Sequence, residues 1–387
     1  MDLGFTKDQE LIRKSAREFF DKECPKDKVR ELKEDEKGYD PKMWRKMVEL
    51  GFLGLVIPEA YGGMNGDYLE LVILMEEIGR NVVPSPFFST VCACAPAIQA
   101  FGTDAQKDAF LSKIAEEGQV WALALTEATA SYEAKDVAMR AVSEGNDYIL
   151  NGTKLFVSYA NVADQLLVVA RTGKGENPEE GVTAFVVDAK SPGIRMAVMP
   201  TAARDMRCEV VFENVKVSSK NILGDTDRGW DIVEYILQYA TVLKSAEMSG
   251  GAEAVLDLAT TYARERHQFD QPIGSFQAVQ HRLVDVLTEV EGLKNLVYEA
   301  AWHIDVELPS KMLVSMVKAK ANGVYQKTCL DGMLVHGAIG FTEEMDVGLF
   351  RLRAKAYEFD CGGTDFHLER IAQELENDES DFLMMEK

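Results

Sequence analysis

Two hydrophobic periodicities divide this chain, and each keeps to its own stretches. Up to about residue 120, apolar residues recur three and four apart, as on one face of a helix. From Val120 they fall into short runs of strand length bounded by turn residues, and from Trp230 the helical spacing returns. The order is therefore α, then β, then α. A doubly wound parallel sheet needs a crossover helix between successive strands, so this order excludes it. With 387 residues, 47% of them hydrophobic, the chain is long enough to bury more than one core. The expectation is an α+β protein with a helical domain over 1–120, a β-domain over 121–229 and a helical domain over 230–387.

Local signals sharpen this layout. Thr6-x-x-Gln9 reads as a capping box, followed by Leu11, Ile12, Ala16, Phe19 and Phe20 at helical spacing. Residues 43–50, 69–78, 92–101 and 105–115 repeat the helical pattern, and Ile57 to Gly63 reads as a turn. Strands are expected over 121–125, 165–171, 182–188 and 209–217. Asn151-Gly152 suggests a hairpin, because both residues tolerate positive φ. Beyond Trp230, helices are expected over 232–262, broken at Gly250-Gly251, over 276–304 and over 310–335. A last helix follows Gly363, with Thr364 or Asp365 as its N-cap.

Net charge is 42 − 64 = −22, which argues against nucleic acid or an anionic membrane surface as partner. No apolar run has the length of a membrane span, and the N-terminus lacks the basic and apolar regions of a signal peptide. Cys24, Cys92, Cys94, Cys208, Cys329 and Cys361 are scattered without a CxxC, so free thiols in a reducing, cytoplasmic setting are expected, with no metal site. Gly337-Ala338-Ile339-Gly340 lacks the spacing of a dinucleotide fingerprint.

Several strings resemble the acyl-CoA dehydrogenase family, in family order over almost the whole chain. They are Ile57-Pro58-Glu59-x-Tyr61-Gly62-Gly63, Leu125-Thr126-Glu127, Leu150-Asn151-Gly152-x-Lys154-x-Phe156-Val157-Ser158, Glu209 to Val217 and Asn221 to Gly224. Tyr262-Ala-Arg-Glu-Arg266-x-x-Phe269 and His336-Gly337-x-x-Gly340-Phe341-Thr342 complete the series. The resemblance implies an N-terminal helical domain, a middle β-barrel or sandwich domain and a C-terminal four-helix bundle. It implies one FAD per subunit, in a crevice between the β-domain and the C-terminal helices, and a homotetramer. On this resemblance Leu125, Thr126 and Ser158 would meet the flavin edge, and Phe156 would pack on the ring where the family usually has Trp. Arg266, Phe269, Gln277, Leu334, Val335, Gly337 and Ala338 would reach the FAD of a neighbouring subunit, Leu334 standing where Gln is common. Thr364 and Phe366 would touch FAD from the final helix. Phe87, Phe88, Val91, Ser131, Ala240, Thr241 and Gly363 would line the substrate. The family's Pro-Gly-x-Gly-Ser after Thr-Glu is replaced here by Ala128 to Asp136, a loop without glycine.

Family members oxidise acyl-CoA thioesters between Cα and Cβ. A carboxylate takes the α-proton and FAD takes the hydride. The usual base is a Glu directly before Gly-Thr at the last helix start. Here that position is Gly362, of which only the backbone N–H remains to polarise the thioester carbonyl. The alternative position, on the first long C-terminal helix, is Ala240. Asp360, Asp365 and Glu247 are the candidate substitutes. The sequence thus implies dehydrogenation of a branched or alicyclic acyl-CoA with a displaced base, and electrons passed to an electron-transferring flavoprotein. A base-independent reaction such as desulfination of sulfinopropionyl-CoA, or a silent subunit of a mixed oligomer, is the alternative. If only the side chain is missing, Gly362→Glu should create ordinary α,β-dehydrogenation.

Overall fold

A computed structural model describes residues 4–308 and 310–385, with side chains up to residue 376. In chain order the helices are α1 (Lys7–Glu23), α2 (Lys26–Leu32), α3 (Pro41–Glu49), α4 (Tyr68–Asn81), α5 (Ala95–Phe101) and α6 (Asp104–Ser112). The strands follow: β1 (Trp121–Ala124), β2 (Arg140–Glu144), β3 (Asp147–Ser158), β4 (Gln165–Arg171), β5 (Val182–Asp188), β6 (Ile194–Val198), β7 (Arg207–Ser218) and β8 (Ile222–Leu223). Then come α7 (Gly229–Glu265), a two-residue pair β9 (His267–Gln268) and β10 (Gln271–Pro272), α8 (Gln277–Asp305), α9 (Lys311–His336), α10 (Val347–Tyr357) and α11 (Thr364–Met385). The chain divides into two compact units. One joins Met1–Val29, Asp67–Val83 and Thr241–Lys387; the other joins Arg30–Gly66 and Pro84–Ala240. The helical stretch before residue 120 is thus shared between them.

The second unit is built on one sheet in the order β6-β7-β3-β2-β4-β5-β8, with β1 parallel to β4. Its core is the apolar run of β4 and β5, including Leu166, Val168, Phe185 and Val186. The Thr90 hydroxyl accepts from Trp121 N–H at 3.0 Å, which ties the segment before α5 to β1. Asn151-Gly152 does not make the expected hairpin. The turn between β2 and β3 is Gly145-Asn146, with Gly145 at φ +65, whereas β3 runs straight through Asn151. The Asn-Gly pair instead forms a bulge against β7, where Asn151 exchanges hydrogen bonds with Asn214.

In the first unit, Gly250-Gly251 does not break α7, which is continuous over 37 residues. These glycines permit close helix crossing instead. A Cβ on Gly250 would lie 1.9 Å from the Glu76 carbonyl oxygen in α4, and one on Gly79 would lie 1.8 Å from that of Glu247 in α7. Gly251 lies under the Tyr325 hydroxyl of α9. Around this crossing Glu76 accepts from Arg13 at 2.9 Å and from Tyr298 at 2.8 Å, and Glu77 pairs with Arg17 at 2.7 Å. Burial pushes the Glu76 carboxyl up to about 7 against the pull of Arg13. The last helix begins at Thr364, so Gly363 is its cap residue. Thr364 and Asp365 occupy the first turn rather than the N-cap position expected for one of them.

Candidate active site

The sheet unit presents one group of the candidate residues. β1 ends beside Leu125 and Thr126. The Thr126 hydroxyl donates to the Leu155 carbonyl at 2.5 Å, and Leu155 N–H returns to Thr126 O at 2.9 Å. This pins the strand end to β3 at a second bulge, between Lys154 and Val157. There Phe156 takes φ +57 and leaves 43% of itself exposed. A bulky residue at positive φ is strained, and strain of this kind collects where a side chain must be aimed. Beneath it the fully buried Lys154 donates to Leu125 O at 2.9 Å and to the Glu127 carboxylate at 2.8 Å. Burial lowers the Lys154 ammonium to about 8, with Glu127 opposing. Glu127 also accepts from Ala138 and Met139 N–H, so it anchors the glycine-free loop after Thr126. Ser158, at the end of β3, is half-buried. Phe87 and Val91 are buried in this unit's core, Phe88 and Ser131 are half-buried, and Ser131 caps the Glu133 N–H at 3.1 Å.

The helical unit gathers a second group. α7 ends at Glu265 and passes into β9 and β10 through Phe269-Asp270, both with positive φ. Phe269 stands at that tip, 87% exposed. Val335 of α9 packs against Ala259 and Ala263 of α7, with Tyr262 and Ile273 around it. This packing brings the end of α9 to the hairpin. Arg266, Gln277, Leu334, Gly337 and Ala338 are exposed, whereas Val335 is core. Gly337 takes φ +67 with open space where a Cβ would stand.

The third group is the loop from α10 to α11. Gly362 has φ +111, and a Cβ there would lie 2.3 Å from Cδ1 of Phe366 and 3.0 Å from Nε2 of His367. The volume that a side chain at 362 needs is already filled. Gly363 has no atom within 4 Å of that position, so open space begins at the next residue. The Gly362 N–H, expected free for a thioester, donates instead to Phe359 O at 3.3 Å. Thr364 is held from below: its hydroxyl accepts from Asn322 at 3.2 Å, Asn322 accepts from Lys318 at 2.6 Å, and Lys318 also donates to the carbonyls of Tyr357 and Glu358 at 3.0 and 3.1 Å. Burial lowers Lys318 to about 8.

Glu247 is committed elsewhere. Lys244 donates to it at 2.5 Å and the Tyr357 hydroxyl at 2.6 Å, all three groups being buried. Lys244 also lies 3.5 Å from Asp360. Ala240 and Thr241 are buried, interior positions of α7. Asp365 is exposed. The supporting Lys154, Lys244 and Lys318 had a legible signal: each sits on the apolar stripe of its element, Lys318 between Val314 and Ala321. A lysine there needs a buried partner. Among the described residues no cluster of His, Cys, Asp and Glu is arranged to hold a metal, and no helix is long and apolar enough to cross a membrane.

Each unit presents, by itself, features that suit part of a large, partly aromatic, anionic ligand such as FAD: strained Phe156 on the one, and exposed Arg266 and Phe269 with the start of a long helix at Thr364 on the other. Family models for the N-terminal, middle and C-terminal domains of acyl-CoA dehydrogenase match residues 6–118, 122–215 and 227–376. The chain is 30% identical to a probable acyl-CoA dehydrogenase, YngJ, of Bacillus subtilis, over 97% of this chain and 100% of that one. It is 32% identical to the CarC subunit of the caffeyl-CoA reductase-Etf complex of Acetobacterium woodii, over 89% and 92%. The butyryl-CoA dehydrogenase structure from Megasphaera elsdenii superimposes with a TM-score of 0.90 at 29% identity, covering 97% of this chain and 100% of that one. The chain belongs to the acyl-CoA dehydrogenase family, FAD-binding oxidoreductases that act on the CH–CH bonds of acyl-CoA.

Proposed function

We propose that this protein carries out oxidoreduction at the Cα–Cβ bond of a branched or alicyclic acyl-CoA, without a carboxylate at position 362. The observation that carries this reading is the filled space at Gly362, which leaves that position without room for a catalytic side chain. FAD, when bound, would supply the hydride chemistry; the residues we assign to it are Leu125, Thr126, Phe156, Ser158, Thr364 and Phe366, while Arg266, Phe269, Gln277, Leu334, Val335, Gly337 and Ala338 are assigned to the FAD of a neighbouring subunit. Gly363 borders open space at the start of α11, and its N–H is the donor we assign to the thioester oxygen. The displaced base we assign is Asp365, since Glu247 is held by Lys244 and Tyr357 and buried Asp360 pairs with the same Lys244. Kinship with CarC supports an electron-transferring flavoprotein as redox partner. Exposed Val284, Leu287, Leu330 and Leu334 support a homotetramer, and six free, buried cysteines suit the cytoplasm.

The same glycine favours a second reading, a flavin-binding subunit that lacks its own base and works beside a different chain. Anaerobic titration of the holoprotein with linear, branched and cyclic acyl-CoA thioesters separates the two. Bleaching of the flavin by a branched or cyclic thioester, lost in Asp365→Asn, supports the first reading. Yellow protein that no thioester bleaches contradicts it and favours the second.

A further inference from the structure

His367 lies in the first turns of α11, 1% exposed. Its Nε2 is 3.0 Å from the Cys361 carbonyl oxygen. A carbonyl only accepts, so Nε2 carries the proton and Nδ1 carries a lone pair. That Nδ1 is buried with no hydrogen-bond partner among the described residues. Burial, together with the nearby Lys318 and Arg370 charges, lowers the imidazole to about 3, so the ring stays neutral. A buried acceptor without a partner is a cost that an apolar residue of similar size would avoid. Its return is at the loop. Cys361 stands at φ +60 and Gly362 at φ +111, two consecutive positive-φ residues in the segment that bears the active-site position. The bond from His367 closes this turn across six residues, while the Phe366 ring fills the place of a side chain at 362.

We propose that His367 is a positioning residue. Through its Nε2–H to the Cys361 carbonyl, it latches the Cys361–Gly363 turn in the side-chain-free form that presents Gly363 to the thioester. The thioester part rests on the function proposed above; the latch itself does not. Gln places an amide N–H near the position of Nε2, whereas Leu fills the volume without a donor. The test compares holoprotein carrying His367→Leu and His367→Gln with the wild type. Two readouts are used: alkylation of the Cys361 thiol followed by mass spectrometry, and flavin bleaching by the best thioester.

The expected result is Cys361 alkylation about tenfold faster in His367→Leu, and a KM for thioester raised about tenfold with FAD content unchanged. His367→Gln should return both to within about threefold of wild type. Equal behaviour of the Leu variant and the wild type overturns the latch. So does an equal loss in Leu and Gln variants accompanied by equal falls in thermal midpoint, which would make the ring a mere packing element. If the wild type bleaches with no thioester, the proposed function falls, and the alkylation rates alone decide the latch.

Discussion

At the scale of single residues, position 362 carries the proposed function. The sequence predicts that Gly362→Glu creates ordinary dehydrogenation on one condition, that only the side chain is missing. That condition is not met, because Gly362 takes φ +111 and the Phe366 ring occupies the Cβ direction at 2.3 Å. Gly362→Glu should therefore lower stability by about 2–5 kcal/mol, from backbone strain and overlap together, and give no flavin bleaching with linear acyl-CoA. Adding Phe366→Ala should recover part of the loss; thermal unfolding and thioester titration check both. His367 gives a pH prediction. Its folded value, about 3, lies below the ordinary 6.5, so between those limits the unfolded chain binds the extra proton and stability falls as pH falls. Relative to His367→Leu, the wild type should lose about 1.6 kcal/mol between pH 6.5 and pH 5, measured by urea unfolding. A constant difference across that range would contradict a buried neutral imidazole.

At the scale of elements, the pattern of periodicities was legible, and most departures trace to residues with two physical uses. The strands β4 and β5 and the capping box at Thr6 appear where the pattern places them, because apolar runs and caps act locally. Gly250-Gly251 and Asn151-Gly152 mislead for one reason: glycine serves both as a breaker and as a place of close approach. Only the partner element decides which, and the partners Glu76 and Asn214 lie far away in sequence. Of the candidate site, the strings around Thr126, Phe156 and Thr364 were readable, and a lysine on an apolar stripe signals a buried partner, but which group that partner is was not. Lys154, Lys318 and His367 act through carbonyls contributed by other segments. The α4–α7 crossing makes its own prediction. Alanine is the better helix former by about 1 kcal/mol, yet Gly79→Ala and Gly250→Ala should each destabilise by about 2–4 kcal/mol, because each methyl meets a backbone carbonyl below 2 Å. Their effects should be less than additive, since either one already forces the two helices apart. Urea unfolding of the two single variants and the double variant measures this.

At the scale of the whole molecule, family membership fixes the cofactor and the kind of bond that reacts. The loop at 360–367 carries the proposal of how the reaction proceeds. Thr364 is held by Asn322, open space begins at Gly363, and the Phe366 ring lies in the Cβ direction of Gly362. A protein so built should still bind FAD and a thioester while obtaining its proton acceptor from another position. Anaerobic titration of wild-type holoprotein with matched linear, branched and cyclic acyl-CoA thioesters tests this most directly. The account predicts flavin bleaching with a branched or cyclic thioester and little with linear ones. Flavin that stays oxidised with every thioester, although the thioesters bind, would contradict it.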